Sequence, residues 1–231
     1  MFASHRGGQT AALQMGTAIL DIDGALVDTN YHHTLSWARA FAHHEIAVAL
    51  WRIHRHIGMG GDQLVPAVCG EEVERRLGDR IREGEHGEYM RLIEEVRPME
   101  GARELIVQLK DRGHTVVLAS SAKEDEVDHY LELLNAHDLA DAWTTSADVD
   151  QTKPAPDLVD AALNAVHGAA DSAVMIGDTP WDVQSARHVG VETITVITGG
   201  FSEQELTDAG AVAVFESVAE LRDQLDQTRL R

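Results

Sequence analysis

The stretch Asp21-Ile22-Asp23-Gly24 carries two carboxylates one residue apart, directly after the apolar run 18–20. If that run is a strand, residues i and i+2 lie on the same side, so the two acids repel each other unless a cation or a proton lies between them. A carboxylate that ionises easily, beside one that can hold a proton, suits a nucleophile and a general acid. A strand followed by a plain Asp-Gly turn is the alternative explanation.

Three further polar clusters accompany the apolar runs of the chain. They are Ser120-Ser121 after 116–119, Lys153-Pro154-Ala155-Pro156 ahead of a helical pattern, and Gly177-Asp178 with Asp182 after 173–176. Taken singly, a serine can cap a helix, a lysine can be a solvated loop cation, and an aspartate before a proline can be an N-cap. Together they would bring carboxylates, hydroxyls and one of the chain's three lysines to one crevice, which indicates catalysis.

The elements that must position these clusters alternate between helix and strand from about residue 99 onward. Periodicity predicts helices over 102–112, 124–135, 156–167, 180–189 and 217–228, and strands over 115–119, 142–144, 173–176, 193–197 and 211–215. Repeated βα units of this length predict an α/β fold with a doubly wound, Rossmann-like parallel sheet covered by helices. The carboxyl ends of the strands would then form the crevice.

The segment 30–98 has a different character, with long helical periodicity, no convincing strand, and glycines at 58, 60 and 61. It predicts an all-helical cap domain inserted into a core domain of residues 16–29 and 99–231, with hinges near 27–31 and 97–101. Such an insert lies over the carboxyl ends of the strands. Trp37 and Trp51 are expected to pack inside it. Residues 1–15 are expected to form a flexible extension.

Composition excludes several classes of function. The formal net charge of -20 opposes binding to nucleic acid, although a metal and a few cations can still hold a small phosphorylated substrate in one cleft. No apolar run approaches the roughly 20 residues that span a bilayer. The lone cysteine, Cys69, excludes an internal disulfide and fits a reducing cytoplasm, so we expect a cytoplasmic protein without membrane or nucleic-acid partners.

The four clusters, in this order, resemble the motifs of the haloacid dehalogenase-like (HAD) superfamily. The Asp-x-Asp pair, the serine after a hydrophobic strand, the Lys-Pro-x-Pro element and the Gly-Asp with a later aspartate all match, and the resemblance covers the chain from about Thr17. The helical insert after the first motif resembles the cap of the branch that includes phosphoglycolate phosphatase and β-phosphoglucomutase.

The resemblance implies a metal and a covalent mechanism. Mg²⁺ would be held by the carboxylate of Asp21, the backbone carbonyl of Asp23 and the carboxylate of Asp178, since hard cations take oxygen ligands. Asp21 would attack phosphorus and form an aspartyl-phosphate. Asp23 would protonate the leaving oxygen and then activate the water that cleaves the intermediate.

The resemblance also implies how the phosphoryl group is held. Ser120 and the backbone N–H of Ser121 would bind its oxygens. Lys153 would hold the nucleophile and the developing negative charge in place. Asp182 would act either through a metal-bound water or by orienting Lys153.

The chemistry of the family members differs, and single residues divide them. Members that cleave carbon–halogen bonds generally lack the second acid of the first motif, so Asp23 favours phosphoryl transfer. Phosphonate-cleaving members use a cap lysine, and residues 30–97 contain none. A phosphatase acting on a small phosphorylated metabolite is therefore the favoured interpretation. The alternatives are a β-phosphoglucomutase-like phosphotransferase, disfavoured because loop 58–63 lacks the arginine of mutases, and a non-catalytic phosphometabolite-binding module.

Six cap residues are candidates for substrate contacts, although each has a plainer explanation as a solvated helix face or a loop: His33, Arg52, Arg55, His56, Gly60 and Gly61. The arginines and His56 could hold an anionic tail, and the glycines would let the backbone approach closely. One departure from the family pattern is Ala25, where Thr or Val is usual. It removes no catalytic group.

Overall fold

A computed structural model describes residues 16–231, so the predicted extension 1–15 lies outside the described residues. A six-stranded sheet forms the centre, with strand order β3-β2-β1-β4-β5-β6 and every paired strand parallel. The strands are β1 (Thr17–Asp21), β2 (Thr115–Ala119), β3 (Ala142–Thr144), β4 (Ala173–Gly177), β5 (Glu192–Val196) and β6 (Ala213–Phe215). The predicted α/β fold with a parallel sheet is confirmed.

Helices cover the sheet and form the insert after β1. They are α1 (Asn30–His43), α2 (Leu50–His54), α3 (Gly61–Cys69), α4 (Glu71–Tyr89), α5 (Ala102–Asp111), α6 (Glu124–Leu134), α7 (Asp157–Ala165), α8 (Pro180–His188), α9 (Glu203–Ala209) and α10 (Val218–Asp223). Of these, α1 to α4 belong to the insert. The last helix ends before the predicted residue 228, because the chain turns there to bury Leu225 and Leu230.

Side chains along β1 alternate between the two faces of the sheet, so the hydrophobic core has two layers. Leu20 faces α5, α6 and α10, whereas Ile19 faces α7 and α8, and both are fully buried. A strand buried on both faces reads as a continuous apolar run, as β1 does. Because both faces are packed, β1 is held rigidly between β2 and β4, and the residue at its end has a fixed position.

The insert has its own hydrophobic cluster, which includes Trp37, Phe41, Leu64 and Ile81. Trp51 was predicted to join it, and this is wrong, because its side chain is 70% exposed on α2. The two segments that join insert and core run side by side: Asp28 N–H donates to the carbonyl of Arg97 at 2.9 Å. Among the described residues, no helix is long and apolar enough to cross a membrane.

Candidate active site

The central strands bring the sequence motifs to one edge of the sheet. Asp21 is the last residue of β1 and pairs with Ala119 of β2, which directly precedes Ser120. On the other side of β1, Asp178 directly follows β4. The carboxyl ends of neighbouring parallel strands therefore carry the nucleophile candidate, a hydroxyl and a second carboxylate within one crevice.

Lys153 lies at the centre of this group. Its ammonium nitrogen is 2.6 Å from Oδ1 of Asp21 and 2.7 Å from Oδ1 of Asp182, and the side chain is 1% exposed. Burial alone lowers the pKa of a lysine, but the charges of Asp182 and Asp21 outweigh it and raise the pKa of Lys153 above its usual value. The lysine is thus a fixed cation beside the nucleophile candidate.

Asp182 is held by the start of α8. Its Oδ2 accepts hydrogen bonds from the N–H and hydroxyl of Thr179, at 3.0 and 2.7 Å, in a capping box. Its other oxygen accepts from Lys153 at 2.7 Å. Of the two roles that the resemblance implied, orientation of Lys153 is the one that matches this contact.

The residues fit a hard divalent cation. Carboxylate oxygens of Asp21, Asp178 and Asp182 lie within 4.8 Å of one another. Among the described residues, Oδ2 of Asp21 and Oδ1 of Asp178 are buried without a hydrogen-bond partner. Burial raises the pKa of Asp21 to about 8 against the opposing charge of Lys153, and burial with the charges of Asp182 and Asp21 raises that of Asp178. A dication would stabilise the ionised forms that this burial penalises.

Asp178 also has a partner that sequence reasoning missed. Asn30, the first residue of α1, donates to Oδ2 of Asp178 at 2.8 Å. The two side chains meet over Gly24, where an added Cβ would lie 2.2 Å from that Oδ2 and 2.3 Å from the Asn30 amide nitrogen. Gly24 therefore leaves room for the contact, and Asn30 ties the first turn of the insert to the candidate metal site.

Asp23 accepts hydrogen bonds from both sides of the crevice. The hydroxyl of Ser120 donates to Oδ2 at 2.8 Å, that of Thr29 donates to Oδ1 at 2.9 Å, and Nε2 of His33 lies 3.4 Å from Oδ1. Burial raises the pKa of this carboxyl, but the hydrogen bond and charge of His33 and the two hydroxyl bonds lower it to about 2. Ser120 also accepts from the N–H of Ala122 at 2.9 Å.

His33 connects Asp23 to the cap. Its Nδ1 is 3.0 Å from Oε1 of Glu85 on α4, and its ring stacks on Tyr89 with centroids 3.7 Å apart. Burial lowers the pKa of His33, but the bonds to Asp23 and Glu85 outweigh burial and raise it well above the usual value. The ring of His33 thus lies between two carboxylates, one on the core and one on the cap, and both favour its protonated form. Glu85, half of this arrangement, was not predicted.

A cavity of about 270 Å³ separates core and cap over these groups. The core side contributes Asp21, Asp23, Ser121, Lys123 and Lys153. The cap side contributes His33, Trp37, Gly60, Gly61, Asp62, Arg82 and Glu85, among others. The volume is enough for a small organic phosphate above the nucleophile candidate.

Comparison with known proteins agrees with this geometry. Residues 18–196 match the family model described as haloacid dehalogenase-like hydrolase. The chain belongs to this family. The match includes all four motifs and the helical insert, so the resemblance read from the sequence is confirmed and the chain is an enzyme of the HAD-like hydrolases.

Several relatives are similar over most of their length. A phosphoglycolate phosphatase from Rhodospirillum rubrum is 27% identical over 216 residues, covering 90% of this chain and 89% of the relative. Pyrophosphatase PpaX from Halalkalibacterium halodurans is 23% identical, covering 80% and 84%. The crystal structure of a hydrolase from Pseudomonas syringae matches with a TM-score of 0.87 at 31% identity, covering 92% of this chain and 99% of that one.

In this HAD-like hydrolase the candidate cap residues are divided between two places. Gly60, Gly61 and His33 line the cavity. Arg55 instead forms an ion pair with Glu205 of α9 and lies 4.4 Å above the ring of Phe201.

The other two candidates lie near Arg55. The ring of His56 stacks on Trp181 with centroids 6.2 Å apart, and Arg52 is exposed. The structure thus places Arg52, Arg55 and His56 outside the set of residues that line the cavity. Their predicted contact with an anionic substrate tail stays a prediction.

Proposed function

We propose that this HAD-like hydrolase is a Mg²⁺-dependent phosphatase that hydrolyses a small phosphorylated metabolite through an aspartyl-phosphate. The observation that carries the proposal is the buried group in which Lys153 bridges Asp21 and Asp182 while an oxygen of Asp21 has no hydrogen-bond partner among the described residues. A free carboxylate oxygen beside a fixed cation suits in-line attack on an anionic phosphate.

Each chemical step has a residue in reach. An oxygen of Asp21 forms a bond to phosphorus as the bond to the leaving oxygen breaks, and Lys153 offsets the charge that develops. Asp23 is ionised in the free protein, so it passes to the leaving oxygen a proton that it receives from His33, whose Nε2 lies 3.4 Å from Oδ1 of Asp23. Asp23 then takes a proton from water, which attacks phosphorus and releases phosphate and free Asp21.

Mg²⁺ would bind at Asp21, the Asp23 carbonyl and Asp178, and it supplies neutralisation of the phosphoryl oxygens. Around it, the protein keeps the nucleophile in place through Lys153 and excludes water with the cap. Ser121 borders the cavity, and its N–H would donate to a phosphoryl oxygen there. The similarity to a pyrophosphatase and a phosphoglycolate phosphatase supports a phosphorylated substrate.

A phosphotransferase is the second candidate. Loop 58–63 has no arginine, but Arg82 of α4 donates to the carbonyl of Gly61 at 3.2 Å and lines the cavity. A cap arginine therefore does reach the crevice by another route. Phosphate found on a sugar hydroxyl, in place of free phosphate, would favour this candidate.

The test is phosphate release from an aryl phosphate, pyrophosphate, phosphoglycolate and a set of sugar phosphates, with Mg²⁺ and with EDTA. Asp21→Asn is expected to lower kcat by at least about 10³-fold, because the nucleophile is lost. Asp28→Asn is the control, since Asp28 is exposed on the same connection. Activity that survives in Asp21→Asn removes Asp21 as nucleophile. A wild-type protein inert toward the whole panel favours the non-catalytic binding module.

A further inference from the structure

We infer that Asp62 of the cap is a positioning residue for Lys153, acting through Thr152, so that closing the cap completes the placement of the lysine. The inference rests on the proposed phosphatase function. Asp62 lies in the first turn of α3, and Thr152 is the core residue directly before Lys153.

The contact is a two-point one. Oδ2 of Asp62 accepts a hydrogen bond from the backbone N–H of Thr152 at 3.1 Å, and Oδ1 accepts one from the hydroxyl of the same threonine. Thr152 is only 6% exposed. A charged acceptor on two donors of one buried residue fixes both its backbone and its side chain, and such bonds are stronger than neutral ones.

The lysine depends on this anchor because of its own geometry. Lys153 has a long flexible side chain whose ammonium must lie between Asp21 and Asp182, at 2.6 and 2.7 Å. When the cap moves away, the buried N–H and hydroxyl of Thr152 lose the acceptor that Asp62 gives them. Water then takes the place of Asp62 as acceptor, but exchangeable water does not hold the threonine in one position, so the turn at Thr152 is expected to relax and Lys153 to shift with it.

The cap loop is shaped for this approach. An added Cβ at Gly60 would lie 2.1 Å from the hydroxyl oxygen of Thr152, so only a glycine lets the loop come this close. At Gly58 an added Cβ would lie 2.7 Å from Thr179, which holds Asp182. The loop from Gly58 to Asp62 therefore contacts both supports of the lysine.

Helix α4 of the cap also holds the loop from Gly58 to Asp62 in place. Arg82 donates to the carbonyl of Gly61 at 3.2 Å and to Glu74 at 2.9 Å, so α4 fixes the loop that carries Asp62. Through this chain of contacts the position of a core lysine depends on where the cap helices lie. The lysine would then be placed correctly only in the closed state, when water is excluded from the substrate.

The experiment compares Asp62→Asn, Thr152→Val, the double variant and Thr152→Ser in Mg²⁺-dependent hydrolysis of an aryl phosphate, with melting temperatures for each. We expect Asp62→Asn and Thr152→Val each to lower kcat about tenfold while KM changes less than about twofold. The double variant should be no worse than either single variant, because both break the same contact. Thr152→Ser keeps the hydroxyl and should retain most of kcat.

Gln63→Ala is the matched control, because Gln63 donates to the same Oδ2 of Asp62 at 2.9 Å, and among the described residues no hydrogen bond joins it to Thr152. Losses that multiply in the double variant would show that the two residues act independently, and they would overturn the inference. A raised KM with unchanged kcat in Asp62→Asn would also overturn it and make Asp62 a substrate contact. In either case the wild-type protein is active and the proposed function stands. An inert wild-type protein would instead overturn the proposed function and this inference with it.

Discussion

The buried ion pairs on the core wall of the crevice differ in exposure from an ion pair that joins cap and core outside the crevice. On the core wall, the Lys153 and Asp182 side chains are 1% and 0% exposed and are bonded to each other. Where the cap meets the core at its far edge, Arg55 and Glu205 are 36% and 41% exposed. Removing one partner of a buried ion pair costs about 3–5 kcal/mol, whereas an exposed pair contributes about 0–1 kcal/mol.

This difference in exposure indicates that the core holds the reacting groups and that the cap controls the entry of substrate. The core charges are expensive to separate, so Asp21 and Asp182 are expected to keep their positions at the sheet edge, and only the placement of Lys153 responds to the cap through Thr152. Some contacts between cap and core are solvent-exposed, such as the ion pair of Arg55 and Glu205, and these can break and reform as substrate enters and product leaves. His33 and Asp62 lie between these extremes, since His33 contacts Asp23 of the first motif and Asp62 bonds to Thr152, the residue before Lys153.

The largest effect is expected from removing the buried lysine that pairs with Asp21 and Asp182. Lys153→Met leaves the carboxylates of Asp21 and Asp182 uncompensated, so the free energy of unfolding should fall by about 3 kcal/mol and activity should be lost. Lys110→Met is the matched control, because Lys110 bonds to Asp141 at 2.6 Å with 31% exposure and should cost at most about 1 kcal/mol. Urea unfolding of both variants measures the difference, and equal losses would contradict the contrast between buried and exposed pairs.

The next effect tests Glu85, a cap residue that acts on Asp23 through His33. Glu85→Gln removes the charge that holds His33 beside Asp23, so kcat/KM should fall about tenfold while the fold is retained. Glu83→Gln, exposed on the same helix, is the control and should behave as wild type. Steady-state kinetics with an aryl phosphate measure kcat/KM of both variants. If the two variants have the same kcat/KM, His33 does not need Glu85.

The contrast between core and cap contacts also explains which parts of the site can be predicted from the sequence. Asp21, Ser120 and Asp178 meet because the ends of adjacent parallel strands converge in any fold of this class, so their order along the chain is enough. The contacts of Glu85 and Asp62 depend on the docking angle of the cap on the core. Helical periodicity indicates which cap residues share a face, but it does not indicate which core residue that face meets.

A smaller effect concerns a further contact between cap and core. His86 of α4 lies 2.6 Å from Glu126 and 3.1 Å from Asp125 of α6. The hydrogen bond to Glu126, the charge of Glu126 and, to a lesser extent, the charge of Asp125 outweigh burial and the charge of Lys123, and they raise the pKa of His86 above 6.5. A raised pKa in the folded state means that the contact stabilises fully below the unfolded value and is lost as pH rises through the folded value.

We therefore expect His86→Ala to lower the melting temperature by about 2 °C below pH 6.5, and by progressively less as pH increases above it. His188→Ala, exposed on α8, is the control and should show no such trend. Melting curves at a series of pH values measure the difference. A loss for His86→Ala that stays constant or grows with pH would mean that the imidazolium does not hold cap and core together.

The smallest effect is expected at the far edge of the cap. Arg55→Ala removes an exposed ion pair with Glu205, so a double-mutant cycle with Glu205→Ala should give a coupling energy of at most about 1 kcal/mol. KM should stay within about twofold of wild type, because the structure gives Arg55 a partner on α9 outside the cavity. A KM raised tenfold or more in Arg55→Ala, and unchanged in Glu205→Ala, would show instead that Arg55 binds the anionic tail of the substrate. The cap would then change position on binding by enough to exchange Glu205 for the substrate.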